Sequence, residues 1–139
     1  MDGGRILAID YGTKRVGIAL TDPLKIIASP FATFDNDKLL IDKIVTLVKE
    51  KEVEKIIVGY PINGDGTKTI LSDTIEQFSK KIELLTSVMV ELYDERYSSL
   101  IAGERIIQSV TKKSKRRDKS LVDKFAAAVI LEEYLKESH

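Results

Sequence analysis

Two short apolar runs, residues 5–10 and 16–21 within RILAIDYGTKRVGIALT, stand on either side of Gly12-Thr13-Lys14-Arg15. That spacing predicts an antiparallel hairpin, with glycine supplying a backbone conformation that other residues avoid. Asp10 ends the first run. An ionised carboxylate at the end of a buried strand is unfavourable unless a cation or a set of hydrogen bonds compensates it. Whatever fold this chain adopts must answer for Asp10.

The pattern downstream extends the hairpin into a larger sheet. Thr21-Asp22-Pro23 turns the chain into KIIASPF, a third strand expected to end near Pro30. Asp35, Asn36 and Asp37 offer N-caps to a helix with apolar residues from Leu40 to Val48 at helical spacing. KIIVGYP is apolar on both faces, as a central parallel strand would be. Leu71, Ile75, Phe78, Ile82 and Leu85 form one stripe of a second helix, and SVMVELYDER reads as a fifth strand. Helical patterns follow through Ile101, Ile106, Ile107 and Val110 and through Val122, Phe125, Ala126, Val129 and Ile130. The order predicts an α/β fold: one three-layer domain over residues 1–139, with a meander of three antiparallel strands joined to two parallel ones and helices on both faces.

Composition narrows the chemistry. The chain has no cysteine, and its one histidine is the terminal His139, so thiolate chemistry is absent and histidine-based catalysis is not expected. Lys plus Arg and Asp plus Glu balance at 22 each, so attraction to a polyanion must come from local patches. No apolar run reaches the ~20 residues of a membrane-spanning helix and the start MDGGR lacks the apolar core of a signal peptide, which predicts a cytoplasmic protein that does not engage membranes.

Asp10 closes the first strand, Asp94-Glu95 the fifth, and Asp123 opens the last helix. If strands one, four and five are neighbours, these acids gather at one edge of the sheet. Crowded carboxylates repel, and a divalent ion resolves the conflict; with oxygen donors alone, that ion would be Mg²⁺ or Mn²⁺. Paired ions would activate water for phosphoryl chemistry. Each acid also has a structural alternative: Asp10 as a turn acceptor, Asp123 in a capping box with Ser120, Asp94 or Glu95 paired with Arg96. Strand alternation lets only one of Asp94 and Glu95 face a given site. The run Lys112, Lys113, Lys115, Arg116, Arg117 and Lys119, against a single Asp118, is a counter-surface for a nucleic-acid backbone, and Lys14 and Arg15 add charge beside Asp10. The glycines of GYPINGDGT would allow backbone amides to approach a phosphate, or simply build a turn.

The segments AIDYGTKRVGIALTD, IIASP, IIVGYPINGDGT, DERYSS with Ala102 and Glu104, and KSLVDKFAAAVILEEYL occur in an order that resembles the YqgF/RuvX family, relatives of the junction resolvase RuvC. The resemblance covers nearly the whole chain. It implies an RNase H-like fold and a bacterial nuclease, with Asp10, Glu95 and Asp123 as the catalytic set and Asp10, Asp94, Glu95 and Asp123 as candidate metal ligands. Lys14, Arg15, Arg96 and the basic run would hold nucleic acid. Two activities are associated with such proteins: maturing the 5′ end of pre-16S rRNA, towards which the resemblance leans, and resolving Holliday junctions. The partner would thus be structured RNA or branched DNA, bound by a monomer or, for symmetric junction cutting, a homodimer. Two departures are visible: Ser98-Ser99 stand where many members have two threonines, and the strand ending at Gly59-Tyr60 lacks the acid that RuvC-like enzymes carry there. The rival readings are a non-catalytic RNA-binding factor of ribosome biogenesis and a nucleotide-binding module.

Overall fold

The structure, a computed structural model, describes residues 4–61, 65–94 and 119–138. Its elements are β1 (Arg5–Tyr11), β2 (Arg15–Thr21), β3 (Ala28–Asp35), α1 (Leu40–Glu50), β4 (Val53–Tyr60), α2 (Ser72–Thr86), β5 (Met89–Asp94) and α3 (Lys119–Ser138). The strands form one sheet in the order β3-β2-β1-β4-β5. β1, β2 and β3 are antiparallel neighbours, and β1, β4 and β5 run parallel, as the sequence pattern predicts. Among the described residues, no helix is long and apolar enough to cross a membrane.

Period-two alternation sorts β1 and β2 into a face of large side chains and a face of small ones. Leu7, Ile9, Val16, Ile18 and Leu20 point to the side covered by α1 and α2, where they bury Ile44, Leu47, Ile75, Phe78 and Ile82. Ile6, Ala8 and Ala19 point to the other side, against Ala127, Ala128, Ile130, Leu131 and Leu135 of α3. Small residues on both partners let a helix axis approach a sheet closely. α3 therefore lies low across β1, β2 and β3. At the far end of that contact Lys55 of β4 pairs with Glu91 of β5 at 2.8 Å and donates to the Tyr134 hydroxyl of α3, and these partners raise its pKa.

Four local expectations are revised. β3 begins three residues later than KIIASPF and runs through Pro30 to Asp35. Asp22 accepts the amides of Ile26 and Ile27, both at 2.8 Å, which folds that part of the segment into a turn; the two amide bonds depress the Asp22 pKa. Pro30 is tolerated because β3 is an edge strand and the β2–β3 register shifts between Ile18 and Ala19, the partner of Pro30. Among glycines, only Gly66 has positive φ in the described residues, so Gly12 is not needed for its dihedrals. A Cβ there would lie 2.5 Å from the Arg15 carbonyl oxygen, and the close approach is what calls for glycine. Leu85 leaves the buried stripe of α2 at 53% exposure, because the stripe ends with Ile82 in the last turn. Finally, Asp37 caps the turn before α1 by accepting the Leu39 amide at 2.9 Å, while Asn36 is used elsewhere. The helical pattern from Ile101 to Val110 lies outside the described residues.

Candidate functional site

Asp10 shares its face of β1 with Ile6 and Ala8, the face that receives α3. Its register partner on β2 is Gly17. A Cβ built on Gly17 would lie 2.0 Å from the backbone carbonyl oxygen of Asp123 and 3.0 Å from the amide nitrogen of Lys124. The turn of α3 that carries Asp123 thus rests directly on the strand beside Asp10, in a space that any side chain at position 17 would fill. One glycine brings the backbone of position 123 onto the strand neighbour of Asp10.

Arg15 begins β2 next to this contact and donates from Nε to Oδ2 of Asp123 at 2.8 Å. The pair is half-buried, with 32% and 23% of the two side chains exposed, so water screens it less than a surface pair. Asp123 lies within α3, and its carboxylate accepts this bond from the first residue of β2; the capping box with Ser120 lies outside the described side chains.

The hairpin turn that presents Lys14 and Arg15 is held by a residue the sequence reading placed at a helix cap. Asn36 donates from Nδ2 to the Gly12 carbonyl at 2.7 Å and from its backbone amide to the Lys14 carbonyl at 2.9 Å. Lys14 itself is exposed. Asn36→Ala would delete the bond to Gly12 and leave that carbonyl to water, with an expected cost of about 1 kcal/mol. The melting temperature should fall by a few degrees, and nucleic-acid affinity should fall with it because Lys14 and Arg15 lose a fixed base; an unchanged melting curve would remove this role from Asn36.

Asp94 lies in register with Tyr60, whose ring packs on the α1 and α2 side of the sheet. Alternation along β5 places Tyr93 on the α3 side and Asp94 on the opposite side from Asp10. Among the described residues no group of three or more His, Cys, Asp and Glu is placed to hold a metal ion. Glu95, Arg96, Lys112, Lys113, Lys115, Arg116 and Arg117 lie outside the described residues, and of Lys119 only the backbone is described. Gly59, the β4 residue one step beyond the Ile9–Val58 pair, is buried, and it stands on the strand where the resemblance to RuvC-like enzymes implies an acid.

A family model described as RuvX, Holliday junction resolvase, matches residues 4–137. The chain belongs to the RuvX family. It is 44% identical over 133 residues to a Chlorobium phaeobacteroides protein, covering 95% of this chain and 92% of that protein, and 43% identical over 137 residues to one from Amoebophilus asiaticus, covering 95% and 94%. Both relatives are named as pre-16S rRNA nucleases. Among solved structures, Thermus thermophilus RuvC in complex with a Holliday junction substrate aligns with a TM-score of 0.62 at 11% identity, over 97% of this chain and 96% of that one. The fowlpox virus Holliday junction resolvase aligns with a TM-score of 0.60 at 14% identity, over 96% and 99%. At such identities these two establish the fold, which is RNase H-like, and the family match makes the RuvX chain a member of a nuclease family.

Proposed function

We propose that this RuvX chain is a one-domain, cytoplasmic, divalent-metal-dependent endonuclease of structured nucleic acid, whose substrate is the 5′ end of precursor 16S rRNA. The close relatives named for that activity support the choice of RNA, and the family description keeps four-way DNA junctions as the second substrate. The observation that carries the reading is the seating of the Asp123 turn on Gly17, the register partner of Asp10.

The residues at this place suit a hard cation. Their donors are carboxylate oxygens, and the Arg15 guanidinium beside Asp123 marks a position where positive charge is already favoured. Asp10 and Asp123 would hold Mg²⁺ or Mn²⁺, with Glu95 completing the set, because the alternation of β5 turns Asp94 to the other face. The ion, when bound, lowers the pKa of water and offsets charge on the phosphodiester. Lys14 and Arg15 bind the phosphate backbone beside the acids, and Arg96 with Lys112, Lys113, Lys115, Arg116, Arg117 and Lys119 extends that positive surface. These contacts position the backbone and carry no base sequence.

Cleavage of a precursor 16S rRNA fragment and of a mobile four-way DNA junction, compared with one preparation in Mg²⁺ and in Mn²⁺, tests the reading. We expect cutting at the rRNA 5′ end that stops on chelation. Junction cutting alone would exchange the substrate, and metal-independent binding without cutting of either would favour the non-catalytic RNA-binding alternative.

A further inference from the structure

Arg15 and Asp123 are 108 positions apart in sequence, yet the backbone of Asp123 rests on Gly17, two residues along β2 from Arg15. Arg15 is held in register between Asp35 of β3 and the hairpin turn, and the Asp123 carbonyl sits on Gly17. The ion pair itself is made by the two side chains alone. Their contact occupies Oδ2, one of the two oxygens that Asp123 can offer a cation.

Resting on the metal-site reading above, we propose that Arg15 is an internal counter-ion that competes with the divalent cation for Asp123, and that the guanidinium displaced by the cation becomes a phosphate contact. In the cation-free chain the single positive charge of Arg15 offsets the Asp123 carboxylate, whose backbone is seated on Gly17, the register partner of Asp10. A divalent ion that takes Oδ2 must break that bond, so its apparent affinity is lowered by the fraction of chains in which the pair is closed. Once released, Arg15 stays beside the acids because β2 anchors its backbone. A guanidinium there binds a phosphate with two parallel hydrogen bonds, a geometry a lysine does not reproduce. One residue thereby couples cation binding to backbone binding: each partner that arrives removes the obstacle to the other, and the coupling is reciprocal.

A residue that merely staples α3 to β2 would, when removed, weaken both affinities together. Competition instead predicts opposite signs. Mn²⁺ binding to the full chain without nucleic acid, measured by titration calorimetry, should tighten about threefold to tenfold in Arg15→Gln, since the tax of a mostly closed pair is lifted. Binding of the same variant to a four-way DNA junction in Mn²⁺ should weaken, with the salt slope reduced by about one, the signature of a lost phosphate contact. Arg15→Lys keeps a positive charge beside Asp123 and should retain Mn²⁺ affinity near the wild-type value. Mn²⁺ affinity unchanged or weakened in Arg15→Gln, or tightened equally in Arg15→Lys, overturns the proposal. Asp10→Asn serves as the control on the underlying site: loss of Mn²⁺ binding upholds it, whereas binding indifferent to Asp10 overturns the site and the competition together.

Discussion

Gly17→Ala is expected to abolish cleavage while leaving a folded but weakened protein. The added methyl carbon would sit 2.0 Å from the Asp123 carbonyl oxygen and 2.4 Å from its carbonyl carbon, and both are backbone atoms that no rotamer change can move aside. α3 must lift from β2 by an ångström or more. Its alanines, Ala127 and Ala128, then lose contact with Ala8 and Ala19. Overpacking of this kind costs about 1–3 kcal/mol, a large part of the margin of a small protein. The functional loss should exceed the stability loss, because the same lift carries the Asp123 carboxylate away from Asp10, and a misplacement near 1 Å can cost about a hundredfold in rate. Thermal melting and a cleavage assay on one preparation measure both. A variant that melts several degrees lower yet cuts at the wild-type rate would show that the Gly17 contact does not position the site.

Asp10→Asn should act in the reverse way, with little change in fold and a near-complete loss of Mn²⁺-dependent cleavage. Asparagine has the same shape, and Asp10 lies at the partly exposed end of β1 beyond the buried run Ile6 to Ile9, so packing is kept. The substitution removes a negative charge and an anionic oxygen donor, and replaces one oxygen by a nitrogen that binds no hard cation. A drop of about 10²- to 10³-fold in cleavage is the scale for losing one electrostatic contact to the reacting group. Affinity for RNA should hold or rise, since one repulsive charge near the backbone is gone. Binding that persists while cleavage vanishes eliminates the non-catalytic reading. Cleavage that survives in Asp10→Asn would remove Asp10 from the site.

Much of the fold was legible because it rests on local patterns. The alternation of RILAID and RVGIAL is read residue by residue, and it predicted both strands of the hairpin and the central place of KIIVGY. The third strand begins later than its apolar pattern because Ile26 and Ile27, which look like core residues, are 68% and 62% exposed in a turn that Asp22 organises through hydrogen bonds. Apolarity alone did not report that competition. Asn36 likewise reads as a cap, yet its bonds go back to Gly12 and Lys14, more than twenty positions away. A signal for the α3 contact was present and unread: Gly17 and Ala19 form a small-residue face on β2, and AAA at 126–128 offers its counterpart.

From residue types and periodicity alone came the α/β class, the strand order and the position of the acids that end strands or line the last helix. Each of these depends on a residue and its near neighbours. What the folded chain alone decided is placement: the backbone of Asp123 rests beside the strand partner of Asp10 because glycine at 17 admits a helix, and Asp94 turns to the other face because strand parity counts from Tyr60. The partnership of Arg15 with Asp123 belongs to the same class. Contacts across a hundred positions are set by how closely two surfaces can approach, and that distance is a property of packed layers rather than of any single stretch of sequence.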